Sequence, residues 1–126
     1  MADYLADTNI LLYLVNPASP EHAGSARSLE RILAGGDRVV LAAQTIYEFW
    51  SVATRPAEVN GLGWSPERAA TVVAAIRGRF PVLPEPPEVL DLWLDLVIRN
   101  SLRGKRIHDA HLLATMRANG VTKLLT

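Results

Sequence analysis

Short apolar runs alternate along this chain with stretches in which apolar residues recur every three or four positions. Tyr4-Leu5-Ala6 is a run halted by Asp7-Thr8-Asn9, which predicts a buried strand with Asp7 at its carboxyl end. Ile10 to Val15 predicts a short helix ended by Pro17, because the residue before a proline avoids helical geometry. Ser19-Pro20-Glu21 marks a helix start, with Ser19 as N-cap and Pro20 in the first turn. Ala26, Leu29 and Leu33 form the buried face of that helix, and Gly35-Gly36 closes it. Val39 to Ala42 predicts a second strand, and Gln44 to Thr54 a helix whose apolar stripe is Ile46, Phe49, Trp50 and Ala53. Arg55-Pro56 ends that helix. The segment up to Trp64, with Asn60-Gly61 and Gly63, is expected to be the most mobile loop, with Trp64 free to touch RNA or a partner.

Ser65-Pro66-Glu67 opens a further helix that turns Ala69, Val72, Val73 and Ile76 inward. Phe80 to Leu83 is strand-like, and Pro81 restricts it to an edge or a strand start. Pro86-Pro87 leads into a helix with Leu90, Trp93, Leu94 and Val97 expected inside. The last helix opens with Ile107 to Ala114 and ends at Asn119-Gly120, and Lys123 to Thr126 reads as a closing strand. Short strands alternating with amphipathic helices imply an α/β sandwich on a mainly parallel sheet. In such sheets ligands bind beyond the carboxyl ends of the strands.

Composition narrows this picture. A chain of 126 residues, about half apolar, suffices for one domain with its own core, here residues 1–126. Thirteen basic and thirteen acidic residues cancel, so any nucleic-acid surface must be local. The absence of cysteine excludes disulfides, thiolate metal sites and cysteine nucleophiles, and agrees with a reducing, cytoplasmic setting. The N-terminus carries Asp3 and Asp7 without a basic lead, unlike a signal peptide, and no apolar run is long enough to span a bilayer.

The candidate chemistry is acidic. On a helix, Asp109 shares a stripe with Leu112, Leu113 and Met116, so it heads a face expected to meet the core. Asp7 lies at a strand's carboxyl end, and Glu48 lies off its helix's apolar stripe, near Thr45 and Ser51. Each has an ordinary explanation: Asp7 as an N-cap, Asp109 as a first-turn acid facing the helix dipole, Glu48 as a solvated surface residue. Together they are three acids near one sheet edge, which tolerate close approach only when protonated or bridged by a cation. Oxygen ligation by carboxylates and waters suits Mg²⁺ or Mn²⁺, and a cation held this way can activate water and neutralise a phosphodiester. No nucleophile elbow, P-loop or glycine-rich dinucleotide loop is present. Arg99, Arg103, Lys105 and Arg106 run from one helix towards Asp109 without an intervening acid, either as a solvated loop or as a phosphate-tracking strip. His108 and His111 flank Asp109; His111, two residues on, points to a different side of the helix, and both read as structural or substrate-facing, while Trp50 and Trp93 read as core.

These residues carry a family resemblance. Asp7-Thr8-Asn9-Ile10, Gln44-Thr45-Ile46-Tyr47-Glu48-Phe49, and Ile107-His108-Asp109-Ala110-His111-Leu112-Leu113-Ala114 followed by Asn119-Gly120-Val121 and Leu124-Leu125-Thr126, resemble the acidic motifs of PIN-domain nucleases, in order along nearly the whole chain. The small size looks most like VapC-type toxins of toxin–antitoxin pairs. The resemblance implies a PIN fold, Mg²⁺- or Mn²⁺-dependent endoribonuclease activity on RNA, a homodimer, and a cognate antitoxin that blocks the acidic site. Residues matching Asp7 and Asp109 are the usual metal contacts in that family, and the one matching Glu48 helps directly or through water. The chain departs from the pattern at its end. The family's further acid after the final strand has no counterpart, so a C-terminal segment is expected to be missing. That departure keeps a catalytically inactive PIN-fold binding module, for an antitoxin or RNA, as the alternative. A DNA or flap nuclease is a weaker third reading.

Overall fold

The computed structural model describes residues 1–126. Three parallel strands form the sheet: β1 (Asp3–Ala6) lies at the centre, flanked by β2 (Arg38–Val40) and β3 (Lys123–Leu125). Leu5 pairs with Val40 on one side and with Leu124 on the other. The edge segment after Phe80 joins through a single parallel bridge, Leu41 to Val82. Pro81 still accepts there, its carbonyl taking the Leu41 N–H at 2.9 Å, so the missing proline donor costs nothing at this edge.

The pleat sorts the core in two. Successive residues of a strand face opposite sides. Ala6, Val39 and Leu41 join Ile10, Leu11, Leu29, Phe49, Ala53, Ile76 and Phe80 in one cluster. Leu5, Val40 and Ala42 join Met116 and Val121 in another. The first cluster is covered by α1 (Thr8–Val15), α2 (His22–Ala34), α3 (Ala43–Thr54) and α4 (Pro66–Arg79). The second is covered by α6 (Arg106–Ala118), on which α5 (Glu88–Arg99) lies. The result is the expected α/β/α sandwich, with the three-stranded sheet as its middle layer and β1 at the sheet's centre.

Several local expectations need correction. Helix α2 begins at His22, because Ser19 instead closes a turn in which its hydroxyl accepts the Glu21 N–H. Helix α5 buries Val89 and leaves Leu90 at 61% and Ile98 at 72% exposed, with Leu94 also exposed. Its main packing partner is α6, and much of its apolar surface stays uncovered. Trp50 is exposed, while Trp93 is half-buried and donates its indole N–H to the Ile107 carbonyl at 2.7 Å.

The loop expected to be most mobile is tied back onto α3. Leu62, Gly63 and Trp64 donate their N–H groups to the carbonyls of Val52, Arg55 and Ala53. These satisfy acceptors that a helix end leaves open. The turn uses Asn60 in the left-handed region (φ 64°) and brings Gly61 against Arg55, where a Cβ would sit 1.8 Å from the Arg55 carbonyl oxygen. Trp64 is not a free surface residue: its ring meets Phe49 edge-on at 6.1 Å, and the Arg68 guanidinium lies 4.3 Å over it.

Candidate active site

The end of β1 places the first acid. Asp7 leaves the strand in extended geometry (φ −80°, ψ 173°) and caps α1, its Oδ1 accepting the Ile10 N–H at 3.1 Å. Its own N–H donates to the Leu125 carbonyl, so the residue is fixed from both sides. Burial pushes the Asp7 carboxyl above the ordinary carboxylate pKa; the Ile10 and Asn9 N–H groups pull the other way, and the charge of Glu48 adds to the rise.

Glu48 is not the solvated surface acid that its helix position allows. It is half-buried, with Oε2 accepting the Thr8 hydroxyl and Oε1 accepting the Gln44 amide, each at 2.8 Å. Gln44 lies one turn earlier on α3, the spacing at which side chains meet. The same amide nitrogen donates to the His108 carbonyl at 2.9 Å and so links α3 to the start of α6. Both partners are acceptors, which fixes the orientation of the amide. Gln44 Oε1 is left buried without a partner, as is Thr45 Oγ1.

Asp109 occupies the first turn of α6, and its stripe is divided: Met116 is buried and Leu112 packs against the second cluster, whereas Asp109 and Leu113 are exposed. Ala110, Ala114, Thr115 and Met116 are the buried positions; Asp109 is exposed. It lines instead a cleft of about 540 Å³ whose walls include Asp7, Thr8, Asn9, Gln44, Glu48, Arg55 and Asp109. The N-terminal part of the face expected to be interior thus borders this cleft, with Leu112 and Leu113 in its wall, while Met116 reaches the core.

Three acids that are distant in sequence therefore share one cavity beyond the carboxyl end of β1. They are not drawn tightly around one point: no three acidic or imidazole side chains stand close enough to hold one ion as they are. The donor chemistry nonetheless fits a hard cation. All three are carboxylates, Asp7 resists ionisation, and two orphaned buried oxygens lie in or beside the same wall. Three carboxylates against one guanidinium, that of Arg55, give the lining a formal charge of −2, which one divalent ion neutralises.

The four cations of the expected RNA strip lie outside the cleft lining. Arg99 pairs with Asp95 at 2.8 Å, whereas Arg103, Lys105 and Arg106 are exposed on the approach to Asp109. His111 contacts Glu85, and the His108 carbonyl accepts the Gln44 amide. Sequence reasoning missed Thr8, Gln44 and Arg55. Gln44 was legible from its four-residue spacing to Glu48; nothing in the pattern marked Arg55.

The PIN-domain family model matches residues 4–126 of this chain. Ribonuclease VapC24 of Mycobacterium tuberculosis is 31% identical over 121 residues, covering 95% of this chain and 82% of the relative. The chain belongs to the PIN-domain family, in its VapC branch. Solved PIN-fold structures repeat the architecture. The VapBC2 structure from Rickettsia felis, bound to a promoter DNA fragment, superposes with a TM-score of 0.71 at 15% identity, over 98% of this PIN domain and 86% of that chain. VapC20 of M. tuberculosis, described as a sarcin–ricin loop cleaving toxin, gives 0.65 at 21% identity, over 96% and 86%. At such identities these neighbours speak for the fold of this PIN domain alone.

Proposed function

We propose that this PIN domain is a metal-dependent endoribonuclease that hydrolyses RNA phosphodiester bonds and is neutralised by a cognate antitoxin. The observation that carries it is the convergence of Asp7, Glu48 and Asp109 on one cleft, in a chain 31% identical to a ribonuclease. Asp7, Asp109 and Glu48 would hold Mg²⁺ or Mn²⁺. The bound ion would supply a more acidic water and charge neutralisation at the phosphodiester. The chain's own part is positioning. The Ile10 N–H fixes the direction of Asp7, and Thr8 and Gln44 fix both oxygens of Glu48. Arg103, Lys105 and Arg106, with Arg99 once released from Asp95, form the outer phosphate strip.

The antitoxin assignment draws on neighbours that are toxin–antitoxin assemblies, among them VapBC-1 of nontypeable Haemophilus influenzae. The exposed row Leu90, Leu94 and Ile98 on α5 supports a homodimer. No helix is long and apolar enough to cross a membrane. The test is Asp109→Asn. It should abolish Mg²⁺-dependent cleavage of RNA while leaving the circular dichroism spectrum and melting cooperativity intact; cleavage at the parent rate would refute the assignment. Engagement of both Glu48 oxygens by Thr8 and Gln44 favours a second reading, a non-catalytic binding module. Tight antitoxin binding with no RNA cleavage in Mg²⁺ or Mn²⁺ would select it.

A further inference from the structure

We propose that Arg55 is a phosphate-binding residue inside the cleft, gripping an RNA phosphate next to the one hydrolysed and so setting the register of the substrate. The inference rests on the ribonuclease reading and adds to it a residue outside the acidic motifs.

Arg55 is the only Lys, Arg or His in the cleft lining. It is half-buried, and it has neither an ion pair nor a side-chain hydrogen bond, although Asp7, Glu48 and Asp109 share its cavity. A half-buried cation without a partner, in a cavity otherwise lined by acids, suits an anionic ligand. Its position is also built. Arg55 caps α3 in extended geometry (φ −65°, ψ 142°). The loop that follows clamps its backbone, with the Gly63 N–H donating to its carbonyl at 2.9 Å and Gly61 packed where no Cβ fits.

The spacing suits a polymer rather than a lone phosphate. Gln44, Glu48, Ser51, Val52 and Arg55 run along one wall of the cleft. Arg55 lies seven positions after Glu48, about 10 Å along a helix axis. A phosphodiester held among the acids would thus leave a neighbouring phosphate of the same strand facing the guanidinium. The planar fork of Arg can grip two phosphate oxygens at once, which a lysine ammonium does not reproduce.

The experiment compares Arg55→Gln and Arg55→Lys with the parent, all in an Asp109→Asn background so that RNA is bound in Mg²⁺ but not cut. Affinity for a fluorescein-labelled single-stranded RNA is followed by anisotropy over a series of salt concentrations. Loss of one phosphate contact should flatten the log-affinity against log-salt slope by about 0.7. Affinity at low salt should fall roughly tenfold or more in Arg55→Gln. Arg55→Lys should keep most of the slope and lose part of the affinity. A merely structural arginine would lower the melting temperature without moving the slope, so an unchanged slope in Arg55→Gln overturns the proposal. Should Arg55→Gln fail to fold, a flattened slope in folded Arg55→Lys overturns it as well, because the charge is retained there. An Asp109→Asn parent that binds RNA steeply, matched by Arg55→Gln, sinks Arg55 alone; an Asp109→Asn parent that does not bind RNA, together with an unsubstituted protein that does not cut it, sinks the ribonuclease reading and Arg55 with it.

Discussion

Asp7→Asn should make the metal-free protein more stable and the metal-loaded protein less so. Burial and the nearby Glu48 raise the Asp7 pKa, so folding takes up a proton there. The native state then binds more protons than the unfolded one, and stability falls as pH rises from the ordinary carboxylate value through the raised one. Below that window Asp7 is neutral in both states and the penalty is absent; above it the penalty is complete. Asparagine caps a helix about as well as aspartate, so the contact with the Ile10 N–H survives the substitution. The carboxyl is only half-buried, which screens the effect, and we expect a gain below ~1 kcal/mol at neutral pH. For a chain of this length that is a rise of at most about 4 °C in Tm. Mg²⁺ at a hundred times its dissociation constant should stabilise the parent by about 2.7 kcal/mol and the variant far less. Scanning calorimetry in EDTA and in Mg²⁺ should therefore show the two melting curves exchanging order. In EDTA at a pH below the ordinary carboxylate value, the advantage of the variant should vanish. A variant less stable than the parent in EDTA at neutral pH, or an equal Mg²⁺ shift in both, would refute the reasoning.

Two further substitutions test how the site is held. Gly61→Ala forces a Cβ towards the Arg55 carbonyl, so the loop must move, at a cost of about 1–3 kcal/mol in chemical denaturation; a neutral result would mean that the clamp on Arg55 is loose. Trp93→Phe removes the indole donor to Ile107, beside Asp109, and should lower stability by about 1 kcal/mol with the fold retained; an unchanged denaturation midpoint would show that the bond contributes nothing.

The layers of the fold were legible because they follow from period. Alternation in Leu5-Ala6 and Val39-Val40-Leu41-Ala42 sends successive residues to two clusters, and the helices supply the stripes that cover them. Asp7 and Asp109 were legible because a charged residue at a strand end or helix start stands out against apolar surroundings; Glu48, off its helix's apolar stripe, stood out only beside them. What escaped was set by tertiary partners. Periodicity marks the apolar face of α5 but not how little of it α6 covers, so Leu90 and Leu94 read as buried and are exposed. It also gives Asp109 a core-facing stripe; Met116 at the far end of that stripe is in the core, whereas Asp109, Leu112 and Leu113 line the cleft and Ala110 and Ala114 fill the interior beside it. The tether on the 56–64 loop depends on the α3 carbonyls of Val52 and Ala53, which a local reading of glycines does not reveal. Arg55 became visible only once that loop was seen to hold it at the cleft.

Whether Asp7, Glu48 and Asp109 close on a single ion is best tested by anomalous diffraction from crystals soaked in Mn²⁺. We expect one manganese peak in the cleft, with carboxylate oxygens of Asp7 and Asp109 directly on the metal and Glu48 on it directly or through one water. A cleft without a peak, or a manganese ion bound elsewhere with these carboxylates turned away, would contradict the shared site.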